Sequence, residues 1–272
     1  MPVMSQLPAV ICIGAQKAGT SWLHENLASH PRIWVPPFKE LHFFDFKFVE
    51  DSKKWAKWHI RSNVKKLLTR GNLTADQERH LRSLMEEPIL NGTWYKRVFS
   101  AMPAGRVGLD VTPEYSTLPA EGISFMKKYL PDPHIIYIIR DPVERAISQA
   151  KMNMKRKGLS LDDAECWLEA VREPVITARG DYARYLPLWD DSGMRVSYMA
   201  FGDITRKPKD FLREVEQFCG LAPAEYPAAH RPVFPTGPGN APDSVRALLE
   251  ERLTSQREFL AQRFGAEFVS RT

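Results

Sequence analysis

The chain of 272 residues is poor in cysteine. Cys12, Cys166 and Cys219 are odd in number, widely spaced and form no C-x-x-C pair. That pattern excludes a disulfide framework and a cysteine-based zinc cluster, and it points to a reducing, cytoplasmic setting. Long apolar runs are missing as well. No stretch has the length of a membrane span, and the first ten residues hold neither the basic region nor the apolar centre of a secretory signal. Without such a signal, the two N-x-[ST] matches at Asn72 and Asn91 read as chance matches. Internal repeats and low-complexity tracts are absent, and no sequence feature sets the oligomeric state. Charge of one sign is in small excess. A net charge of +5 suits a small anionic ligand better than a nucleic-acid track. The densest basic run, Lys155-Arg156-Lys157, reads as a solvated helix end.

What is present is ordinary globular composition, 43% apolar and 26% charged, at a length that supports a sizeable core. The apolar pattern predicts strands over 10–13, 33–35, 107–111, 134–139 and 196–200. It predicts helices over 20–29, 94–99, 122–129, 143–154, 182–190, 208–219 and 244–263. Such alternation means an α/β fold, a P-loop-like parallel sheet flanked by helices. The run 134–139 is apolar throughout, which suits a strand covered on both faces. Between the second and third strands, Trp55, Trp58, Ile60, Val64, Leu67 and Leu68 recur at helical spacing. They predict two helices split near Gly71-Asn72, a helical insertion or lid over about 53–92 within one domain. Trp55 and Trp58 read as packing residues. Lys39 to Asp45 reads as a dense polar-aromatic loop.

Chemistry concentrates at two strand ends. Residues 11–13 run into Gly14-Ala15-Gln16-Lys17-Ala18-Gly19-Thr20-Ser21-Trp22-Leu23, which describes a strand, a tight loop and a helix start. Backbone N–H groups at such a turn converge on one point, where the helix dipole also favours an anion. Gly14 and Gly19 permit the turn, Lys17 brings a positive charge, and Thr20 and Ser21 can cap the helix or donate to phosphate oxygens. The second corner is Arg140, at the carboxyl end of the 134–139 strand, with Ser148 two turns into the next helix. Two phosphate sites on one sheet edge imply a nucleotide phosphorylated at both ends of its sugar. Lys17 precedes Gly19 by two positions, so the loop departs from the G-x-x-x-x-G-K-[ST] pattern.

Both segments resemble those of the sulfotransferases that use 3′-phosphoadenosine 5′-phosphosulfate (PAPS). Residues Gly14 to Leu23 are similar to the family's 5′-phosphosulfate loop. Ile138-Ile139-Arg140-Asp141-Pro142-Val143-Glu144-Arg145-Ala146-Ile147-Ser148 is similar to its 3′-phosphate motif. The resemblance implies that Lys17, Ala18, Gly19, Thr20, Ser21, Trp22, Arg140 and Ser148 bind PAPS, leaving adenosine 3′,5′-bisphosphate as product. Trp22 also reads as a core residue that can line the nucleotide pocket. Within the family, Lys39-Glu40-Leu41-His42-Phe43-Phe44-Asp45 and Asp110-Val111-Thr112-Pro113-Glu114-Tyr115 resemble the heparan-sulfate-type branch and its bacterial relatives. That likeness implies Glu40 as base, Lys17 on the leaving oxygen and His42 orienting Glu40 or touching the sulfate, with no metal. It implies a small-molecule or carbohydrate acceptor, an alcohol or an amine. His42 reads equally as a core histidine, and Asp45 as a structural cap. Val111 stands where the branch often carries lysine. The late loop 235–240 lacks the basic cover that relatives place over the nucleotide, a role left to Arg231 or Arg246. The same sequence admits a P-loop nucleotide kinase using ATP–Mg, with Asp110 or Asp141 on the metal. It also admits a module that binds the nucleotide without turnover, and a signalling protein using the charged segment 53–87 as an interaction arm.

Overall fold

The protein is described by a computed structural model covering residues 7–231, 233 and 241–272. Five strands, β1 (Val10–Gly14), β2 (Ile33–Trp34), β3 (Val107–Val111), β4 (His134–Ile139) and β5 (Arg195–Ala200), form one sheet in the order β2-β3-β1-β4-β5. Every pairing is parallel. Ile11 lies between Asp110 and Ile135 in register, so β1 is the middle strand. Its five residues are all buried, as are the last five of β4. Helices on both faces make this possible, and each fully buried isoleucine contributes on the order of 1.5–3 kcal/mol. β3 and β4 flank β1; from their shared carboxyl end, the chain runs from β1 to β2 at one edge of the sheet and from β4 to β5 at the other. The crevice between diverging loops at the carboxyl ends of adjacent strands is where open α/β sheets hold ligands.

The predicted helices are present, joined by others that the sequence pattern did not announce. α1 (Thr20–Leu27) leaves the first loop. Then come α2 (Phe43–Phe48), α3 (Glu50–Lys53), α4 (Ala56–Arg70), α5 (Ala75–Ser83) and α6 (Gly92–Phe99). After β3, a 3-10 turn over Pro113–Thr117 leads to α7 (Ala120–Tyr129), and α8 (Pro142–Arg156) follows β4. α9 (Ala164–Arg172), α10 (Pro174–Ala178) and α11 (Tyr182–Asp190) precede β5. α12 (Asp203–Arg206), α13 (Pro208–Phe218) and α14 (Asp243–Val269) complete the chain. α4 and α5 break at Gly71 and Asn72, both at positive φ, as the sequence predicts.

Two expectations need correction. Of the predicted loop 39–45, residues 43–45 are helical and open α2, because Asp45 sits in the first turn and takes a bond from His42, while the Phe43 amide donates to the Tyr115 hydroxyl at 3.1 Å. Trp58 does not pack: it is 69% exposed, whereas Trp55 lies edge-on to His42 at 4.5 Å. The charged segment also packs on the body of the protein. Ile60, Val64, Leu81 and Leu84 join the main core, so α4 and α5 are walls of the same body. The late loop 235–240 lies outside the described residues. No helix among the described residues is long and apolar enough to cross a membrane.

Candidate active site

The loop from Gly14 to Ser21 is shaped by two glycines. At Gly14 (φ +146°) a side chain would come within 2.9 Å of Ser116 and 3.1 Å of the Pro113 carbonyl. At Gly19 (φ +81°) a Cβ would meet Ile204 Cδ1 at 2.5 Å. Both positions combine a left-handed backbone with no room, which only glycine meets cheaply. Gly19 itself is the N-cap of α1, and no side chain caps the helix. The expected caps, Thr20 and Ser21, do something else. Thr20 is buried, and Ser21 Oγ accepts a bond from Lys39 Nζ at 2.9 Å. The first amides of α1 are therefore left for a ligand. Ala18 is fully buried beneath them. The Trp22 indole lies in the core, edge-on to Phe211 and donating to the Ala229 carbonyl at 2.9 Å. Its one polar atom is thereby engaged within the core.

Lys17 and Arg140, 123 positions apart, meet at the mouth of this loop. Arg140 donates through one terminal guanidinium nitrogen to the Lys17 carbonyl at 2.7 Å. Its planar group lies over Phe201 at 4.5 Å, and Tyr182 holds its backbone. Arg140 Nε is buried and has no partner. Lys17 Nζ touches only Met152 Sδ at 3.6 Å among its side-chain partners. Burial, then the cations of Arg140, Arg156 and Lys39, pull its pKa down to about 8. Ser148 is buried one turn before Met152 on the same face of α8. Excess positive charge, an orphaned donor and free helix amides are the complement of a dianionic phosphate.

Beside this cradle lies a carboxylate group of different character. Lys39 Nζ bridges Ser21 to Glu40 Oε1, 2.9 Å from each. Burial alone raises the Glu40 pKa, but Lys39, His42 and His59 outweigh it and hold the carboxyl well below its usual range. Glu40 keeps 30% of its side chain exposed, so a solute can reach it. His42, beneath it, is 0% exposed. Its Nδ1 bonds Asp45 Oδ2 at 3.0 Å, and its Nε2 has no partner. Burial opposes protonation of His42, but Asp45 reverses the balance and lifts its pKa to about 9. Lys17, Glu40 and His42 all stand at positive φ, three of six non-glycine residues that do so among those described. Strained backbone of this kind persists where surrounding contacts over-determine it, and it collects at functional sites.

Sequence reasoning missed five neighbours: Lys39, Gln16, Glu114, Arg179 and His59. Gln16 Nε2 donates to Glu114 Oε1 at 3.0 Å, and Arg179 pairs with Glu114 at 3.4 Å. Glu114 Oε2 is buried without a partner, and burial raises its pKa. His59 comes from α4 to within 4.0 Å of Glu40. Lys39 and Gln16 sit inside the quoted motifs and were legible there. Arg179 and His59 arrive from distant segments and carry no local signal. Val111 is a core residue whose carbonyl accepts the Glu40 amide at 3.0 Å. Arg246 pairs with Glu144 at 2.7 Å rather than extending over the cradle.

Neither aspartate expected of a kinase is open to magnesium. The Asp110 oxygens accept hydroxyls from Tyr95, Tyr115 and Thr112. Those of Asp141 cap α8 through the amides of Val143 and Glu144 and pair with Arg257.

Among solved structures, the chain is similar to a sulfotransferase from Alicyclobacillus acidocaldarius, with a TM-score of 0.63 and 23% identity over 97% of this chain and 96% of that one. It is also similar to the sulfotransferase domain from the curacin biosynthetic pathway, with a TM-score of 0.53, 18% identity and coverage of 91% and 98%. A third likeness is the sulfotransferase domain of the Synechococcus PCC 7002 olefin synthase, with a TM-score of 0.54, 16% identity and coverage of 93% and 97%. At these identities the likeness shows the fold. The sequence matches no curated protein. Residues 8–225, which contain both strand-end corners and the Glu40 segment, match the profile of the sulfotransferase family, and the chain belongs to that family, whose activity is PAPS-dependent sulfuryl transfer.

Proposed function

We propose that this protein moves the sulfuryl group of PAPS to a hydroxyl of a sugar or another polar alcohol, or to an amine, with Glu40 as base. The observation that carries the reading is the bond from the Arg140 guanidinium to the Lys17 carbonyl, which sets the two strand-end corners side by side. Arg140, through its unpartnered Nε, and Ser148 hold the 3′-phosphate. Lys17, Gly19, Thr20 and Ser21 surround the 5′ end. PAPS supplies the activated sulfuryl group and a phosphate leaving group. Transfer of this kind relies on positioning and charge stabilisation, so Lys17 and the α1 amides neutralise the charge that grows on the leaving oxygen. Lys39 spans both halves of the site. Drawn toward the donor's negative charge, it loosens its grip on Glu40 Oε1 and restores basicity to the carboxylate. Glu40 then accepts the acceptor's proton at the solvent-facing side of the cradle.

The likeness of residues 39–45 and 110–115 to the heparan-sulfate-type branch supports the glutamate base and a hydroxyl-rich acceptor. The helical segment 53–92 forms the acceptor-side wall through Trp55 and His59, which pack on His42. Three unpaired cysteines support a reducing compartment such as the cytoplasm.

A thermal-shift comparison tests the nucleotide half of this reading. Adenosine 3′,5′-bisphosphate should raise Tm strongly and ATP–Mg weakly. Arg140→Ala should weaken bisphosphate binding by about 10–100-fold, the loss of one charge-assisted bond. Equal response to both nucleotides would overturn the assignment. Bisphosphate affinity should be level between pH 7 and 8 and then fall by about tenfold per pH unit, because Lys17 loses its proton near pH 8 in the free protein. A Lys17→Met protein that kept this slope would move the titrating group elsewhere. A screen of hydroxyl and amine acceptors with sulfur-labelled PAPS identifies the second substrate.

A further inference from the structure

The acceptor side of the cradle carries a second arrangement that sulfuryl transfer does not require. Glu40, His42 and His59 each offer one ligand atom, and these atoms lie within 4.8 Å of one another. The two histidines come from different elements. His42 precedes α2, and His59 closes the first turn of α4, so the fold, not local sequence, assembles the group. Their rings meet edge to face, 4.9 Å between centroids with planes at 89°.

We propose that Glu40, His42 and His59 form a transition-metal site that takes Zn²⁺, or a divalent ion of similar preference, through one carboxylate oxygen and two imidazole nitrogens. The orientation of His42 is the first support. Its Nδ1 is engaged by Asp45 Oδ2 at 3.0 Å, which leaves Nε2 fully buried and without a partner. A carboxylate on the far nitrogen is the usual arrangement behind a metal-bound histidine, because it fixes the ring and its tautomer. His59 Nε2 stands 4.0 Å from Glu40 Oε2. Lys39 occupies the other oxygen, Oε1, so Oε2 is the free donor.

Two nitrogens and one carboxylate oxygen with a remaining position toward solvent match the donor set of zinc sites that keep an open coordination position. The same set disfavours Mg²⁺, which demands oxygen ligands. Ligand atoms around tetrahedral zinc lie about 3.3 Å apart, so closure needs side-chain shifts of about 1 Å. Asn63 Nδ2 sits 3.0 Å from His59 Nε2 and must swing aside. A bound ion ties up Glu40 Oε2. If Glu40 is the base proposed above, Zn²⁺ is then an inhibitor of transfer that leaves bisphosphate binding intact. Ion binding itself does not depend on that reading.

The test uses the full chain, stripped with a chelator and dialysed. Zn²⁺ is titrated against a chromogenic chelator, and Co²⁺ serves as a visible-absorption probe of tetrahedral geometry. The expected result is one equivalent of Zn²⁺ and a tetrahedral Co²⁺ spectrum, with no competition from Mg²⁺. His59→Ala and Glu40→Gln should each weaken binding by at least about 10-fold, both side chains being reachable from solvent and replaceable without opening the core. Circular dichroism checks that the variants are folded. Cys166→Ser and Cys219→Ser should bind as the parent does. Failure to take up one equivalent, or uptake undiminished in both site variants, overturns the proposal. Uptake by a chain that transfers no sulfuryl group would instead overturn the catalytic reading and keep the metal site.

Discussion

Glu40→Gln is expected to lower turnover by at least about 100-fold while leaving the protein able to bind adenosine 3′,5′-bisphosphate. The amide keeps the shape of the side chain and can still accept a bond from Lys39, but it cannot take a proton. The sign of the binding effect follows from the charges. Glu40 is a nearby anion that raises the Lys17 pKa, so it screens the cradle. Removing its charge leaves Lys17, Lys39 and Arg140 with less compensation, and bisphosphate should bind as tightly as before or more tightly. A carboxylate held far below its normal pKa by Lys39 is a poor base until that contact loosens. Lys39→Met therefore separates two roles of the bridge. It frees Glu40 but removes a cation beside Ser21. Single-turnover rates with saturating PAPS, read beside bisphosphate dissociation constants, check the Glu40 expectation. Full activity with a normal pH profile in Glu40→Gln would remove Glu40 from the base role and leave Glu114, whose Oε2 is buried and unpartnered, as the next carboxylate to examine.

Most of the sheet was legible because its strands are buried on both faces. A run such as 134–139 has one reading once turn residues bound it, and the structure places β4 over those residues beside the middle strand. The two strand-end corners were legible for a related reason. A glycine-lysine-glycine turn and an arginine after a buried strand are local patterns, and parallel pairing of β1 with β4 puts their carboxyl ends side by side. The start of α2, residues 43–45, was read as loop because the phenylalanines at 43, 44, 46 and 48 give no clear period. The helix there is fixed by tertiary partners, the Tyr115 hydroxyl and the His42–Asp45 pair, which no local rule contains. Trp58 was misread for the opposite reason. It shares the helical spacing of its neighbours but stands on the solvent side of α4, and spacing alone does not say which face meets the core. His59 and Arg179 could not be found from the sequence at all. Their proximity to Glu40 and Glu114 is set by how α4 and the α10–α11 region fold over the sheet edge.

Lys17→Met should have effects of opposite sign on stability and on activity. Lys17 is desolvated among cations, and its pKa falls from 10.5 to about 8 on folding. Near neutral pH the folded protein therefore holds a proton that the unfolded chain holds more easily. The depressed value means that protonated Lys17 opposes folding at every pH below about 8, and that this penalty fades as pH rises from 8 toward 10.5. Methionine fills the same space without the charge and inherits the positive φ, so backbone strain cancels in the comparison. The substitution should raise the unliganded stability by about 1–3 kcal/mol at pH 7, and the gain should vanish above pH 10.5. Transfer should meanwhile drop by about 100-fold or more, because the leaving oxygen loses its mobile cation. Denaturant titrations at pH 7 and at high pH, set beside turnover, check both arms. A variant that is destabilised at pH 7 would show that Lys17 supports the loop in the free protein. Gain of stability with loss of transfer is the expected signature of a charge kept for its ligand, since an anion in the cradle removes the very repulsion that makes the empty site costly.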